Sequence, residues 1–511
     1  MVRQIKKILN KMFGRLQLTC LVLLLQLAWF ALLVLRLNEY YEYFAVTFTI
    51  ASILMALFVI YRDDNPAYKL GWIMLISLVP IFGALMYGFF GNKRPSRRIR
   101  VKVNPVQERH RRDLVQKYQM EEINDSRLMR TINYIAERGP FPAWDGTKSR
   151  YYDLGDKAFP DLLADLKKAE HYIFMEYFII GSGVMWDQIH AVLKEKAAAG
   201  LDVRLIYDDV GSIDKLPLGF AGSLEAEGIK TCIFNPLRPI VSLVYNNRDH
   251  RKITVIDGYI AYSGGYNIAD EYINVEKRFG HWKDTGIRLE GKAVWNFTVM
   301  FLNMWNAFRK TEDDYTPFRP QVHHPGLFDS DGIVQPFSDT PLDDENLSEN
   351  VYMEIITQAE EYVYIFTPYL ILDNEMQSCL TLAAKRGVDV RIVTPGIPDK
   401  KLIYRLTRSY YLPLLKAGVR VYEYTPGFIH AKSILADDRV GVVGSINLDY
   451  RSLYLHFECG TAMVGSHALY DLKRDCRETF LTSRRVQKED CHTGFFGVLL
   501  DSVLRVLSPL L

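Results

Sequence analysis

Six cysteines are all that the 511 residues contain, and no two of them form a C-x-x-C pair. Cys20, Cys232, Cys379, Cys459, Cys476 and Cys491 are scattered along the chain, which excludes a disulfide framework and a cysteine-based zinc site. No G-x-x-x-x-G-K-[ST] loop occurs, so nucleotide binding by a P-loop is excluded as well. Net charge is also nearly missing, because 62 Lys and Arg stand against 60 Asp and Glu. That balance hides three stretches, 16–35, 43–60 and 70–90, without a single Asp, Glu, Lys or Arg. Each has roughly the 20 residues that cross about 30 Å of hydrocarbon at 1.5 Å per residue. Their distribution excludes a wholly soluble protein, and the 49% hydrophobic content excludes disorder.

Charge divides the chain into unlike parts. Residues 1–92 hold eight basic and four acidic side chains, residues 93–117 hold ten basic ones against Glu108 and Asp113, and 118–511 keep 44 basic and 54 acidic. A body with a net charge of −10 is a poor general nucleic-acid binder, since such affinity comes mostly from neutralised phosphates. The basic stretch after the third run fits a segment lying on anionic lipid headgroups, or topogenic charges beside a membrane span.

Residues 1–15 carry Arg3, Lys6, Lys7, Lys11 and Arg15, and no small-residue cleavage site follows the first run, which reads as an uncleaved anchor. Pro80 and Gly83 in the third run can kink a helix or turn a re-entrant hairpin. Three full spans would separate two strongly basic segments, 1–15 and 93–117, that the positive-inside rule places together. One run is therefore expected not to cross, and the charge excess places the catalytic part on the cytoplasmic side of a multi-pass cell-membrane protein. The tail 495–511 carries only Asp501 and Arg505, and reads as a membrane-surface helix or a terminal helix packed on the body.

The remainder is a duplication. Ala169–Tyr177 is echoed by Ala359–Thr367, Gly200–Ile206 by Gly387–Val393, and His250-Arg251-Lys252 by His430-Ala431-Lys432. Each half runs apolar strand, amphipathic helix ending at Gly200 or Gly387, and β-branched strand, the rhythm of an α/β sheet with helices on its faces. Four regions follow: a membrane region 1–92, a basic collar and linker 93–145, and two α/β repeats, 146–335 and 336–511. The Pro-, Asp- and Ser-rich stretch 315–349 connects the halves.

Two copies of H-x-K-x-x-x-x-D carry the chemistry. His250, Lys252 and Asp257 form one, His430, Lys432 and Asp437 the other, and each is followed by a Gly at +14 and an Asn at +17, Asn267 and Asn447. Residues i and i+2 of a strand share a face, so each His projects with its Lys. Asp257-Gly258 is a favoured hairpin turn after Ile256. Two such units face to face gather two imidazoles and two ammonium groups around one centre, which suits a phosphodiester: lysines on the non-bridging oxygens, one His attacking phosphorus, the other acid and then base. The remaining histidines, His456 and the His323-His324 pair among them, lack such a context and read as surface or satisfied core residues; no metal is expected at them.

With these motifs the chain resembles the phospholipase D superfamily and, within it, the bacterial cardiolipin synthases. Tyr207–Ser212, Gly264-Gly265-Tyr266-Asn267, Ala417–Tyr424, Asn447–Ser452 and the closing Ser508-Pro509-Leu510-Leu511 carry the resemblance, which covers nearly everything from about residue 43. The first run is an addition to the family's usual pair. Two places depart from it: His456-Phe457-Glu458 replaces Asn-Phe-Glu, and Trp282-Lys283-Asp284-Thr285-Gly286 ends in Gly where the family has His.

The resemblance implies two tandem phospholipase D-like repeats in a pseudo-twofold body behind a transmembrane region. It implies exchange between two phosphatidylglycerol molecules without cofactor or metal: His250 attacks phosphorus to give a phosphatidyl-histidine while His430 protonates glycerol, then His430 activates a hydroxyl of the second lipid. Lys252 and Lys432 stabilise charge, Asn267 and Asn447 are neutral donors, Asp257 and Asp437 support the motif, and Asp284 and Glu458 orient the imidazoles. Phosphatidylglycerol and anionic membrane lipids are the expected partners, nucleic acid is not, and a homo-oligomer is compatible with the sequence. The alternatives are hydrolysis by the same residues, as in a phospholipase D, a nuclease of the superfamily, and a non-catalytic membrane scaffold.

Overall fold

A computed structural model describes residues 41–91, 97–115, 125–237 and 247–510, with isolated positions between 24 and 36. Residues 1–15 and most of the first uncharged run lie outside the described residues. The second run forms helix α1 (Tyr41–Tyr61), and the third is broken in two, α2 (Pro66–Leu78) and α3 (Pro80–Phe90). α2 and α3 fold back on each other: Tyr68 donates its hydroxyl to the carbonyl of Gly91 at 3.1 Å, and the Trp72 and Tyr87 rings meet edge to face at 5.4 Å. Gly83 permits the close approach, since a Cβ there would stand 2.5 Å from the Ile76 Cα. Among the described residues no helix is long and apolar enough to cross a membrane.

The basic collar forms α4 (Arg97–His110) and does not lie free on its surroundings: Ile99 and Val103 are buried in the core of the body. The polar linker contains α5 (Ser126–Arg138), capped by Asp125, which accepts the N–H of Arg127.

The first unit is a seven-stranded sheet built from β1 (Thr147–Tyr152), β2 (Tyr172–Tyr177), β3 (Asp202–Asp208), β4 (Lys230–Phe234), β5 (Lys252–Ile256), β6 (Ile260–Gly264) and β8 (Gly286–Gly291), in the order β1-β8-β6-β5-β2-β3-β4. β7 (His281–Lys283) stands outside it. Between β2 and β3 runs α6 (Val184–Ala198), and Gly200 takes the left-handed conformation that ends it, φ +93°.

α7 (Val294–Arg309) follows β8 and is buried on every side from Val294 to Ala307. Its Asn296 accepts the indole N–H of Trp144 and donates to the carbonyls of Pro142 and Pro336, each at 2.8 Å, so linker and second unit are tied to one buried amide. Both sheets pack into the core around α7, with Phe174 and Val255 from the first unit and Phe366, Met463 and Phe480 from the second.

The second unit has eight strands: β9 (Ile333–Asp339), β10 (Tyr362–Phe366), β11 (Asp389–Pro395), β12 (Arg420–Tyr424), β14 (Ser433–Ala436), β15 (Val440–Gly444), β16 (Glu458–Val464) and β17 (Ser483–Arg485), ordered β17-β12-β11-β10-β14-β15-β16-β9. β9 pairs with β16 as β1 pairs with β8, so the second sheet begins at Ile333, inside the stretch expected to be connector. β13 (Gly427–Ile429) leaves its own unit and pairs in parallel with β7 of the other, which fixes the two repeats face to face. Flanking helices are α8 (Leu347–Gln358), α9 (Asn374–Lys385, followed by Gly387 at φ +101°), α10 (Lys401–Ser409) and the terminal α11 (Phe495–Leu507).

Candidate active site

Each His-Lys pair enters its sheet from extended chain rather than from within a strand. His250 stands two residues before β5 opens at Lys252, and His430 directly follows β13 and precedes β14. Their backbone N–H groups reach across the repeats: His250 donates to the carbonyl of Phe457 at 2.9 Å and His430 to that of Lys283 at 2.7 Å. The segment before each carboxylate therefore pairs with the opposite motif.

The side chains cross in the same sense. His250 Nδ1 lies 2.9 and 3.0 Å from the two oxygens of Glu458, and His430 Nδ1 lies 2.6 Å from Asp284 Oδ2. Each imidazole takes its orienting carboxylate from the other repeat, and neither repeat alone holds a complete pair. With Nδ1 donating to a carboxylate, Nε2 is left as the basic nitrogen. Glu458 also accepts the hydroxyls of Ser452, at 2.6 Å, and of Ser445.

The glycine at +14 explains itself here. A Cβ on Gly264 would stand 2.4 Å from the carbonyl oxygen of Thr285, and one on Gly444 2.3 Å from that of Cys459. These carbonyls directly follow Asp284 and Glu458, so a side chain at either glycine would displace the carboxylate.

Burial sets the electrostatics. Both histidines are 7% exposed, Lys252 and Lys432 at most 1%, and Asp284 and Glu458 not at all. Burial, seconded by the charge of Lys252, holds His250 well below the usual imidazole range. His430 falls to about 4 through burial and Lys432, opposed by Asp284. Burial likewise lowers Lys252 to about 8 and Lys432 to about 7, and raises Glu458 to about 8 against the pull of Lys252. Each ammonium group donates to the backbone carbonyl of its own motif histidine. A nearby anion would raise the pKa values of these buried cations and so favour their charged forms.

The other expected residues are placed differently. Asp257 and Asp437 stand apart from the imidazoles and hold the fold. Asp257 accepts the N–H groups of Glu170, His171 and Tyr172, each at 2.8 Å, and Asp437 those of Glu360, Glu361 and Tyr362. Both sit in left-handed turns, Asp257-Gly258 at φ +49° and +74°, Asp437-Asp438 at +52° and +58°. Asn267 is engaged at both ends of its amide, accepting from Ile179 N–H and donating to the Tyr272 hydroxyl, whose ring lies beside His430. Asn447 Oδ1 is buried without a hydrogen-bond partner.

His456 belongs to the site, contrary to the surface or core placement expected for it. Its ring centroid is 5.6 Å from that of His250, the place Trp282 takes beside His430 at 5.3 Å. Burial keeps it well below the usual imidazole range, and its Nε2 has no hydrogen-bond partner. The sequence signs were its position two residues before Glu458 and its place where the family has Asn. Phe178 borders His250, whereas Tyr272 and Phe428 enclose His430, so the two halves of the site differ in polarity. Among the described residues one cluster could ligate a metal ion: His250, His456 and Glu458, with donor atoms within 4.8 Å of one another. The Glu458 oxygens in that cluster are already occupied by His250 and two serines.

Buried ion pairs brace the first motif. Arg251 joins Glu176 at 2.5 Å and Asp249 at 3.0 Å, and Arg248 joins Asp208 at 3.3 Å.

A family model described as "Cardiolipin synthase, PLD-like domain" matches this chain twice, over residues 162–290 and 352–480, half of its length. The chain belongs to the cardiolipin synthase family. It is an enzyme of the phosphatidyltransferase kind, with the duplicated phospholipase D-like body. Residues 50–92 match a second model, "Phospholipase_D-nuclease N-terminal". Similar proteins include a cardiolipin synthase of Geobacillus kaustophilus, 34% identical over 92% of this chain and 94% of that one. Cardiolipin synthase 1 of Bacillus cereus is 32% identical over 91% and 92%. Among solved structures, a phosphatidylserine synthase of Haemophilus influenzae aligns with a TM-score of 0.57 over 75% of this chain and 98% of its own, at 13% identity, which is a likeness of fold.

Proposed function

We propose that the chain makes cardiolipin by moving a phosphatidyl group between two phosphatidylglycerol molecules. The carrying observation is the pair of buried imidazoles, each held by a carboxylate of the opposite repeat and flanked by a buried lysine. His250 Nε2 attacks phosphorus, the bond from phosphorus to the glycerol oxygen breaks, and His430 Nε2–H gives its proton to that oxygen. His430 then takes the proton of a hydroxyl on the second phosphatidylglycerol, whose oxygen attacks phosphorus as the bond to His250 breaks. With its pKa lowered to about 4, His430 by itself is neutral at pH 7. A phosphodiester beside it supplies the negative charge that raises its pKa and makes it an acid.

Lys252 and Lys432 balance the charge that develops on the phosphoryl oxygens. One phosphodiester replaces another, so no nucleotide drives the reaction. Burial of the histidines limits hydrolysis of the intermediate, and a second lipid in the same bilayer is an alcohol at high local concentration. In this reading residues 1–92 hold the body at a membrane. The test is product analysis with phosphatidylglycerol labelled in the headgroup and the acyl chains. The wild type yields cardiolipin and glycerol, and His430→Ala yields neither above background. Phosphatidic acid without cardiolipin would make the chain a hydrolase.

A further inference from the structure

The third uncharged run is two antiparallel helices of 13 and 11 residues, about 20 and 16 Å long at 1.5 Å per residue, against about 30 Å of hydrocarbon. Polar contacts gather at one end. Asn65 caps α2 and donates to Tyr454 at 3.2 Å and Asp373 at 3.4 Å on the body, and Gly91, at the far end of α3, returns to Tyr68. The other end, at Leu78-Val79, carries exposed apolar side chains, as do Leu70 and Met74 on the flank.

The terminal helix α11 adds a second element with the same orientation problem. Its polar side faces the protein: Asp501 binds Arg405 at 2.6 Å, Arg405 donates to the Gly497 carbonyl, and Arg505 donates to Ser409. Phe495, Phe496, Val498, Leu499, Leu500, Val503 and Leu507 face outward, 41 to 83% exposed. An ordinary surface helix turns its apolar stripe inward, and this one is inverted. α11 crosses α2 where Gly71 meets the Val506 carbonyl, so both apolar faces adjoin. Between α10 and α11 lies a groove of about 730 Å³ lined by Lys401, Arg405, Arg408 and Arg505 against Asp490 and Asp501.

We propose that α2 and α3 form a re-entrant hairpin that enters one leaflet of an anionic phospholipid bilayer and returns to the same face, with α11 lying in that leaflet beside it. The inference rests on the membrane reading above. The basic groove at the base of the apolar surface complements anionic headgroups, whereas a second copy of the chain would bring like charge against like. A hairpin that does not cross also leaves the basic segment 93–117 on the side from which the chain enters at Asn65, where Asn65 meets the catalytic body.

The experiment uses the full chain in right-side-out and everted membrane vesicles, with Cys20, Cys379 and Cys491 replaced by serine. Asp63→Cys or Asn104→Cys, flanking the hairpin, is reacted with a membrane-impermeant maleimide. Both are expected to react from the same side, with at least a tenfold preference. Reaction from opposite sides would overturn the hairpin and leave the membrane reading intact, and recovery of the chain in the soluble fraction would overturn the membrane reading itself. A nitroxide at Leu78→Cys and at Phe496→Cys is expected to be relaxed by oxygen more than by a water-soluble nickel chelate, with 78 the deeper site. Preferential relaxation of 496 by nickel, or spin coupling between copies there, would overturn the placement of α11.

Discussion

Glu458→Gln tests the crossed pairing at one atom. The amide keeps the shape of the carboxylate but replaces an acceptor of the His250 Nδ1–H with a group that can donate to it. A hydrogen bond to a charged group contributes about 1.5–3 kcal/mol, a factor of roughly 10 to 10² in rate. An amide donor also pushes the proton onto Nε2, the nitrogen that attacks in the proposed reaction, and that tautomer error raises the loss to roughly 10³–10⁴. The assay uses a phosphatidyl ester with an activated phenolate leaving group, which departs without an acid, and measures the burst of phenolate and the site of the trapped phosphoryl-histidine. Wild type and Asp284→Asn are expected to burst and to carry label on His250, with slow turnover in Asp284→Asn because His430 no longer serves as base. Glu458→Gln is expected to lose the burst. Label on His250 that survives Glu458→Gln and is lost in Asp284→Asn would refute the crossed pairing. Ser445 and Ser452 donate to different oxygens of Glu458; in the amide one hydroxyl still donates to the side-chain carbonyl and the other turns to accept from the NH2, so the variant is expected to fold, which its unfolding midpoint checks.

Three further outcomes follow from the same geometry. Asp257→Ala orphans three backbone N–H groups and is expected to cost about 2–4 kcal/mol in urea unfolding while turnover per folded molecule stays within about twofold; a large loss of turnover at unchanged stability would place Asp257 in the chemistry. The proposed reaction needs Glu458 ionised and Lys252 and Lys432 protonated, so kcat/KM is expected to rise and then fall with pH, with its maximum between about 7 and 8 and limbs belonging to the cluster as a whole. A profile flat from about pH 6 to 9 contradicts that. His456→Phe removes a buried nitrogen without a partner and puts a ring where the other half of the site has Trp282; stability is expected to rise by about 1 kcal/mol and turnover to fall several-fold, and unchanged turnover would show that His456 serves packing alone.

The duplicated His-Lys-Asp spacing, the α/β rhythm and the helix ends at Gly200 and Gly387 were legible because they are local: strand period, turn chemistry and left-handed glycines act over a few residues. The glycines at 264 and 444 were visible as letters but not as reasons, since the oxygens they make room for lie about 15 to 21 residues further on. The all-round burial of α7 was not visible either, because a helix packed on both sheets shows no clean amphipathic stripe.

The sequence by itself determined that two phosphodiester-handling motifs sit on a repeated fold behind uncharged runs. Only the tertiary structure decided that each histidine answers to the other repeat's carboxylate, that His456 borders His250, and that the third run turns back at Val79-Pro80. Composition and period record which face a residue prefers, but not which face it meets. That meeting is set by sheets closing on a shared core, where residues 146 and 208 positions apart become hydrogen-bond partners.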